Sequence, residues 1–327
     1  ASDTSGAQVV DRLVQTIRPA GISAVLEALG KASTSADNEV IKVAGWLPDS
    51  RAVERLGALL DEESLREPAS AALVRQGDAA IPILIEKLDS EELDVRVHAA
   101  QALGSIGTEP CVDALIAASR SDSSVALSAL EALGRSTNPK AFDALIELLA
   151  SPDKTLRRAA VNTLKRFPRE NAFARLEGLL ADVDPNVRES AIRVIGDLEG
   201  PACREAVLAA TEDADETVRV AAVEQLASFP SDAAVKVLAR ALGDKVSNVR
   251  AAAARTLAAF ADNQSVQALG QALKNDSDPW VRYFAIRSLS ENGGASRFSG
   301  LLKDLAEQDS AEQVRVAAAE AITGATD

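Results

Sequence analysis

Eight arginines fall at nearly even intervals, Arg66, Arg96, Arg157, Arg188, Arg219, Arg250, Arg282 and Arg315, with steps of 30, 61, 31, 31, 31, 32 and 33 residues. The long step holds two periods, and at its middle Val125-Ala126 puts alanine where arginine is due. A row of guanidiniums can bind anions, since each planar fork takes a carboxylate or phosphate in two parallel hydrogen bonds. Each arginine, however, follows Val or Leu and stands just after an acidic turn residue such as Asp94, Asp153, Asp184, Asp215 or Asp278. A ladder of Arg-to-Asp pairs between neighbouring repeats accounts for the recurrence without any ligand. Such pairs set the register of stacking more than they add stability.

Other reactive side chains are scarce. His98 is the one histidine, and no Ser, Cys or acidic residue recurs around it in a general-base arrangement. Cys111 and Cys203 occupy matching places three repeats apart. With helical layers ~10 Å apart they lie beyond disulfide reach, and they read as small apolar packing residues in a reducing compartment, with the cytoplasm favoured. No GxGxxG and no phosphate-cradling GKS/T stretch is present. The expectation is no enzyme, no cofactor and no metal.

A 31-residue period in 327 residues describes one stacked body rather than several globular domains. The chain is 47% hydrophobic and 3% aromatic, a composition suited to closely packed helices. Its net charge of −14 repels phosphates and acidic membranes. No apolar run approaches the ~20 residues of a membrane span. Methionine is absent even at position 1, so Ala1 is read as a processed or excised start.

Each unit has two helices. The segment 141–150, AFDALIELLA, puts Phe142, Leu145, Ile146, Leu148 and Leu149 on one apolar face. An Asp- or Ser-containing break follows and caps the second helix, with Pro185 suited to an opening turn. Second helices are expected near 64–76, 94–105, 124–135, 155–166, 186–197, 217–228, 248–260, 280–291 and 312–323. Their first helices fall near 49–60, 78–88, 110–119, 139–150, 170–180, 201–210, 232–242, 264–274 and 296–307. Gly104, Gly134, Gly196 and other Gly or Pro residues end them, through a left-handed cap or a missing donor. Residues 1–48 form a cap helix over 6–18 and an irregular first pair, continuous with an array over 49–327 that has no internal boundary.

The phrase Asp-x-x-Val-Arg-x-x-Ala-x-x-x-Leu-Gly, as in 215–227 and 278–290, resembles the HEAT-like repeat of short bacterial and archaeal type, over roughly 49–323. The resemblance implies an all-α fold, a right-handed α-solenoid of about ten helix pairs whose second helices line a concave face where partners dock. The resembling family includes phycobilin lyases, deoxyhypusine hydroxylases and many scaffolds, so fold alone does not name the function. Deoxyhypusine hydroxylases need repeated His-Glu pairs for two irons, and this chain has a single histidine followed by alanine.

On the expected concave side, five residues past each ladder position, lie Gln101, Glu131, Asn162, Arg193, Glu224, Arg255 and Arg287, a mixed row of no single sign. The middle of the chain adds a basic run, Arg157, Arg158, Lys165, Arg166 and Arg169, able to receive an acidic segment. Trp280, Tyr283, Phe284 and Arg287 form the aromatic concentration. Consecutive Tyr283 and Phe284 cannot both face one core, so at least one ring meets the surface, where aromatics anchor partners. The reading is a non-catalytic scaffold binding another protein or peptide through Gln101, Glu131, Arg158, Asn162, Arg166, Arg193, Glu224, Arg255, Tyr283 and Arg287. Nucleic acid and membrane are not the expected partners. The alternative is a phycobilin-lyase-like accessory presenting a tetrapyrrole to an acceptor protein.

Overall fold

The computed structural model describes residues 19–34, 37–120, 123–136, 138–166 and 172–324. The cap helix expected over 6–18 and Arg169 lie outside them. Among the described residues all regular structure is helical. First helices are α1 (Pro19–Leu29), α3 (Ser50–Ala58), α5 (Ile81–Lys87), α7 (Glu109–Ser119), α9 (Pro139–Leu148), α11 (Ala172–Leu176), α13 (Pro201–Ala210), α15 (Asp232–Ala241), α17 (Asn263–Asn275) and α19 (Ser299–Gln308). Second helices are α2 (Asn38–Ala44), α4 (Arg66–Gln76), α6 (Leu93–Ile106), α8 (Ser123–Leu133), α10 (Lys154–Leu164), α12 (Pro185–Ile195), α14 (Glu216–Gln225), α16 (Ser247–Thr256), α18 (Pro279–Glu291) and α20 (Glu312–Gly324). Short 3-10 turns such as Leu226–Ser228 and Leu257–Ala259 finish several of them.

The helices gather into two compact units, residues 1–168 with α1 to α10 and residues 169–327 with α11 to α20. Within each unit every first helix packs on the second helix of its pair. Second helices stack in chain order, α2 on α4 and onward to α10 in one unit, α12 on α14 and onward to α20 in the other. Each unit is thus an α-solenoid segment.

The repeated phrase explains the core. Its Val, Ala and Leu recur at four-residue spacing and share one helical face. Val95, Ala99 and Leu103 are fully buried, as are Val281, Ala285 and Leu289. A second buried row, one residue after each Ala, faces the next repeat: Leu130, Ile192, Val223 and Ile286 have no exposed surface. Ile192 packs there with Val218, Ala221 and Ala222. Removing this apolar surface from water, layer by layer, is the main source of stability.

Aspartates cap the second helices as expected. Asp184, Asp215 and Asp278 each accept a backbone N–H two residues on, at 2.8 Å. The glycines act differently from expectation. Gly107 does end α6 in a left-handed turn, φ 70°, but Gly196 follows α12 with φ −62° and ψ −18°. Its role is clearance, because a Cβ there would lie 2.6 Å from Cβ of Gln225. Likewise a Cβ on Gly104 would meet Cβ of Ala132 at 2.7 Å, and one on Gly134 would meet Thr163 at 2.5 Å. Glycine at this position lets consecutive second helices approach.

Candidate functional site

The ladder arginines are structural. Arg66 reaches the expected Asp94 at 3.6 Å beside Glu92 at 2.7 Å, but further along the carboxylate partners differ from those expected. In the 169–327 unit Arg188 forks onto Asp213 at 2.9 and 2.8 Å. Arg219 takes Asp244 at 2.8 and 3.0 Å, Arg250 takes Asp276 at 2.7 and 3.0 Å, and Arg282 takes Asp309 at 2.8 and 2.7 Å. These aspartates stand at the start of the next repeat's turn. Asp215 and Asp278, two residues past Asp213 and Asp276, are occupied as caps, as is Asp184. The remaining nitrogen of each arginine donates to carbonyls of its own turn, as Arg219 Nη1 does to Asp213 and Ala214 at 2.9 and 3.1 Å.

The pairs are largely shielded, with 7% of the Arg219 side chain and 6% of that of Asp276 exposed. The Arg188 hydrogen bond holds the Asp213 carboxyl below the usual carboxylate range. Burial pushes Asp244, Asp276 and Asp309 upward, but arginine and backbone amide hydrogen bonds outweigh it and leave all three lowered. The hydrogen bonds they donate to the aspartates raise Arg188, Arg219, Arg250 and Arg282. Guanidiniums so occupied have no free fork for a ligand.

The row five residues past the ladder separates into two kinds. Gln101, Glu131 and Asn162 are exposed in the 1–168 unit, together with Arg158 and Arg166. In the 169–327 unit the row binds itself. Arg193 donates to Glu189 at 2.7 Å and to Glu224 at 3.1 Å, and Arg255 donates to the other oxygen of Glu224. Arg287 pairs with Glu320 at 3.5 Å. Burial would lower Arg193, but hydrogen bonds and attraction from Glu189 and Glu224 hold it above its ordinary value. Glu189 and Glu320 lie outside the expected set. The signal for Glu189 is its place four residues before Arg193 on one helix, and that for Glu320 is its one-repeat spacing from Arg287.

Beside that row stands the aromatic cluster of α18. Trp280 is 53% exposed, Tyr283 and Phe284 are half-buried, and the rings pack on one another. Trp280 meets Tyr283 edge-on at 5.6 Å and Phe284 at 6.2 Å, while Tyr283 and Phe284 meet edge-on at 5.3 Å. Arg255 lies over the Phe284 ring at 5.6 Å, a cation–π contact. A cavity of about 290 Å³ opens nearby, lined by Arg287, Ser290, Ala317 and Glu320.

The remaining candidates carry little chemistry. His98 Nδ1 lies 2.7 Å from the Asp94 carbonyl, to which it can donate. Cys111 and Cys203 are buried free thiols, and burial pushes that of Cys203 up, away from the reactive thiolate. Among the described residues no group of three His, Cys, Asp or Glu side chains is placed to hold a metal ion. No described helix is long and apolar enough to cross a membrane.

Repeated helix pairs of this kind have a counterpart among known families. The family described as HEAT repeats matches residues 112–196, 174–248 and 244–323, more than half of the chain. The chain belongs to the HEAT repeat family. This HEAT repeat chain also matches the PBS lyase HEAT-like repeat over residues 95–121. No curated protein matches the sequence. Among solved structures it is similar to a mutant of Kap121p, with 14% identity, a TM-score of 0.64, and coverage of 94% of this chain and 42% of that one. It is similar to Kap95p with 14% identity, a TM-score of 0.58, and coverage of 97% and 52%. The HEAT repeat chain therefore spans about half the length of these karyopherins or less. Against the CpcE–CpcF phycocyanin lyase complex of Nostoc sp. PCC7120 the identity is 20% and the TM-score 0.37, over 75% of this chain and 94% of that one.

Proposed function

We propose that this HEAT repeat chain is a non-catalytic scaffold that receives a protein partner on the exposed face of its second helices. The observation that carries the reading is the α18 cluster, in which three aromatic rings stay outside the core, with Trp280 half-exposed and Arg255 stacked on Phe284. Aromatic side chains and arginine dominate the anchoring energy of interfaces, because they bury much area for little conformational entropy. Arg255 and Arg193 are already held by Glu224, so they serve as a fixed rim around the rings. A net charge of −14 speaks against a polyanionic partner for the molecule as a whole. Kap95p, of similar fold, binds RanGDP, which fits a solenoid used for protein recognition.

The test is affinity capture from source-cell lysate, comparing the intact chain with a Trp280→Ala, Tyr283→Ala variant. Loss of a captured protein from the variant, with helicity unchanged, is the expected result. An identical set of captured proteins removes this face from consideration.

The PBS lyase HEAT-like match at 95–121 motivates a second reading, a tetrapyrrole-presenting accessory. Titration with a bilin separates the two. A shifted absorption band favours the accessory, and an unchanged spectrum discards it.

A further inference from the structure

We infer that the second-helix face of the 1–168 unit is a docking strip for an acidic peptide segment bearing leucine-like anchors. The inference rests on the scaffold reading and names the partner's chemistry. Along α10 Lys154, Arg158 and Asn162 recur at four-residue spacing and form one stripe, Arg166 continues it in the turn two residues past the helix end, and all four are exposed. Among the described residues no carboxylate pairs with Lys154, Arg158 or Arg166, in a chain with 49 acidic and 35 basic side chains. Arginines on the corresponding face of the other unit meet Glu189, Glu224 and Glu320. The positive potential of α10 is thus left for something outside the unit.

The stripe has an apolar flank. Helix α8 packs on α10 and α6 on α8, and on that face Leu127 is 39% exposed and Leu93 45%. Two large aliphatic side chains in water beside unpaired cations suit a partner that combines carboxylates with apolar side chains. A phosphate backbone has no use for the leucines, and Glu131 on the same face is paired with Arg135 at 3.3 Å. The helical part of the stripe, Lys154 to Asn162, spans about 12 Å, the reach of a short segment rather than of a large surface.

The experiment is fluorescence anisotropy on the full chain with three labelled probes: a peptide of Glu and Asp with two leucines, the same peptide with Lys replacing its acids, and a single-stranded oligonucleotide of equal charge. The acidic peptide is expected to bind, more weakly as salt rises. Arg158→Glu with Arg166→Glu should weaken it about tenfold or more, since attraction becomes repulsion at two contacts. Leu127→Ser should cost about threefold, the loss of one partly buried side chain. Lys236→Glu with Arg240→Glu on α15 changes net charge equally and should leave binding intact. Binding insensitive to the α10 reversal, or lost equally in the α15 control, overturns the inference. So does an oligonucleotide that binds as tightly and ignores Leu127→Ser. Trp280 and Tyr283 lie in the other unit, so the scaffold reading stands or falls separately, on its own capture experiment.

Discussion

The two units carry the same helical phrase on different turns. Six residues before each ladder position the 1–168 unit has Leu60, Ser90, Arg120 and Ser151, whereas the 169–327 unit has Asp182, Asp213, Asp244, Asp276 and Asp309. Serine performs half of the aspartate's task. Ser90 and Ser151 accept the N–H two residues on, at 3.3 and 3.2 Å, and close the turn as the aspartates do at 2.8 or 2.9 Å. What serine lacks is the second oxygen and the charge that reach the neighbouring repeat. The first unit couples its layers by other means. Arg66 reaches Glu92 at 2.7 Å, Lys87 reaches Asp61 at 2.6 Å and Arg120 reaches Glu147 at 2.6 Å, each with a well-exposed carboxylate. Closing a turn and locking two repeats are separable functions, and one aspartate supplies both.

Acid is the broadest way to break this contrast, because it acts on every rung. Asp213, Asp244, Asp276 and Asp309 have lowered folded-state pKa values. Their contribution is therefore present above the unfolded carboxylate value of about 3.9 and is lost as pH falls through the lower folded values. The chain has two tryptophans, Trp46 in one unit and Trp280 in the other. Single-tryptophan variants should show the Trp280 unit loosening first between about pH 4 and pH 2. Simultaneous transitions would refute the ladder's role.

A single rung gives the next largest effect. Asp276→Ala strands Arg250, whose side chain is 15% exposed, and should cost about 3–5 kcal/mol. Ser151→Ala, at the same turn position in the other unit, should cost about 1 kcal/mol, one ordinary hydrogen bond. Urea unfolding of each variant measures both. Similar costs would mean that the aspartates only close turns.

Glycine clearance should be indifferent to the contrast. Gly134→Val and Gly196→Val, one in each unit, should each cost about 1–3 kcal/mol through overpacking, read as a fall in Tm. A silent substitution at either site would show that the neighbouring helix gives way there.

The smallest and sharpest test builds a rung where none exists. Ala126→Arg with Ser151→Asp places the pair in the 1–168 unit, and a double-mutant cycle should give a favourable coupling of about 1 kcal/mol. No coupling would mean that the repeat spacing there differs from that of the ladder.

Much of this was legible in one dimension. Predicted second helices such as 186–197 and 280–291 lie within two residues of α12 and α18 at either end, because Val, Ala and Leu at helical spacing leave one way to bury an apolar face. The rung aspartates are hard to read from sequence because in turns such as 213–215 and 276–278 two aspartates stand two residues apart, and which one caps and which one crosses depends on backbone direction. Glycines at helix ends read as stops, yet Gly104, Gly134 and Gly196 answer to a neighbour nearly thirty residues away. Arg193 and Arg255 are held by Glu224, which their sequence positions alone do not show, while Leu93, Leu127 and Lys154 carry no sequence signal and are exposed.

The sequence by itself determined the repeat, its helices, their caps and the identity of the core, since these depend on periodicity and on contacts within a few residues. Only the tertiary structure decided which aspartate completes each arginine, which glycine makes room for a helix and which charges remain unspent. Those outcomes are set by the offset between neighbouring repeats, a three-dimensional distance that no local pattern encodes.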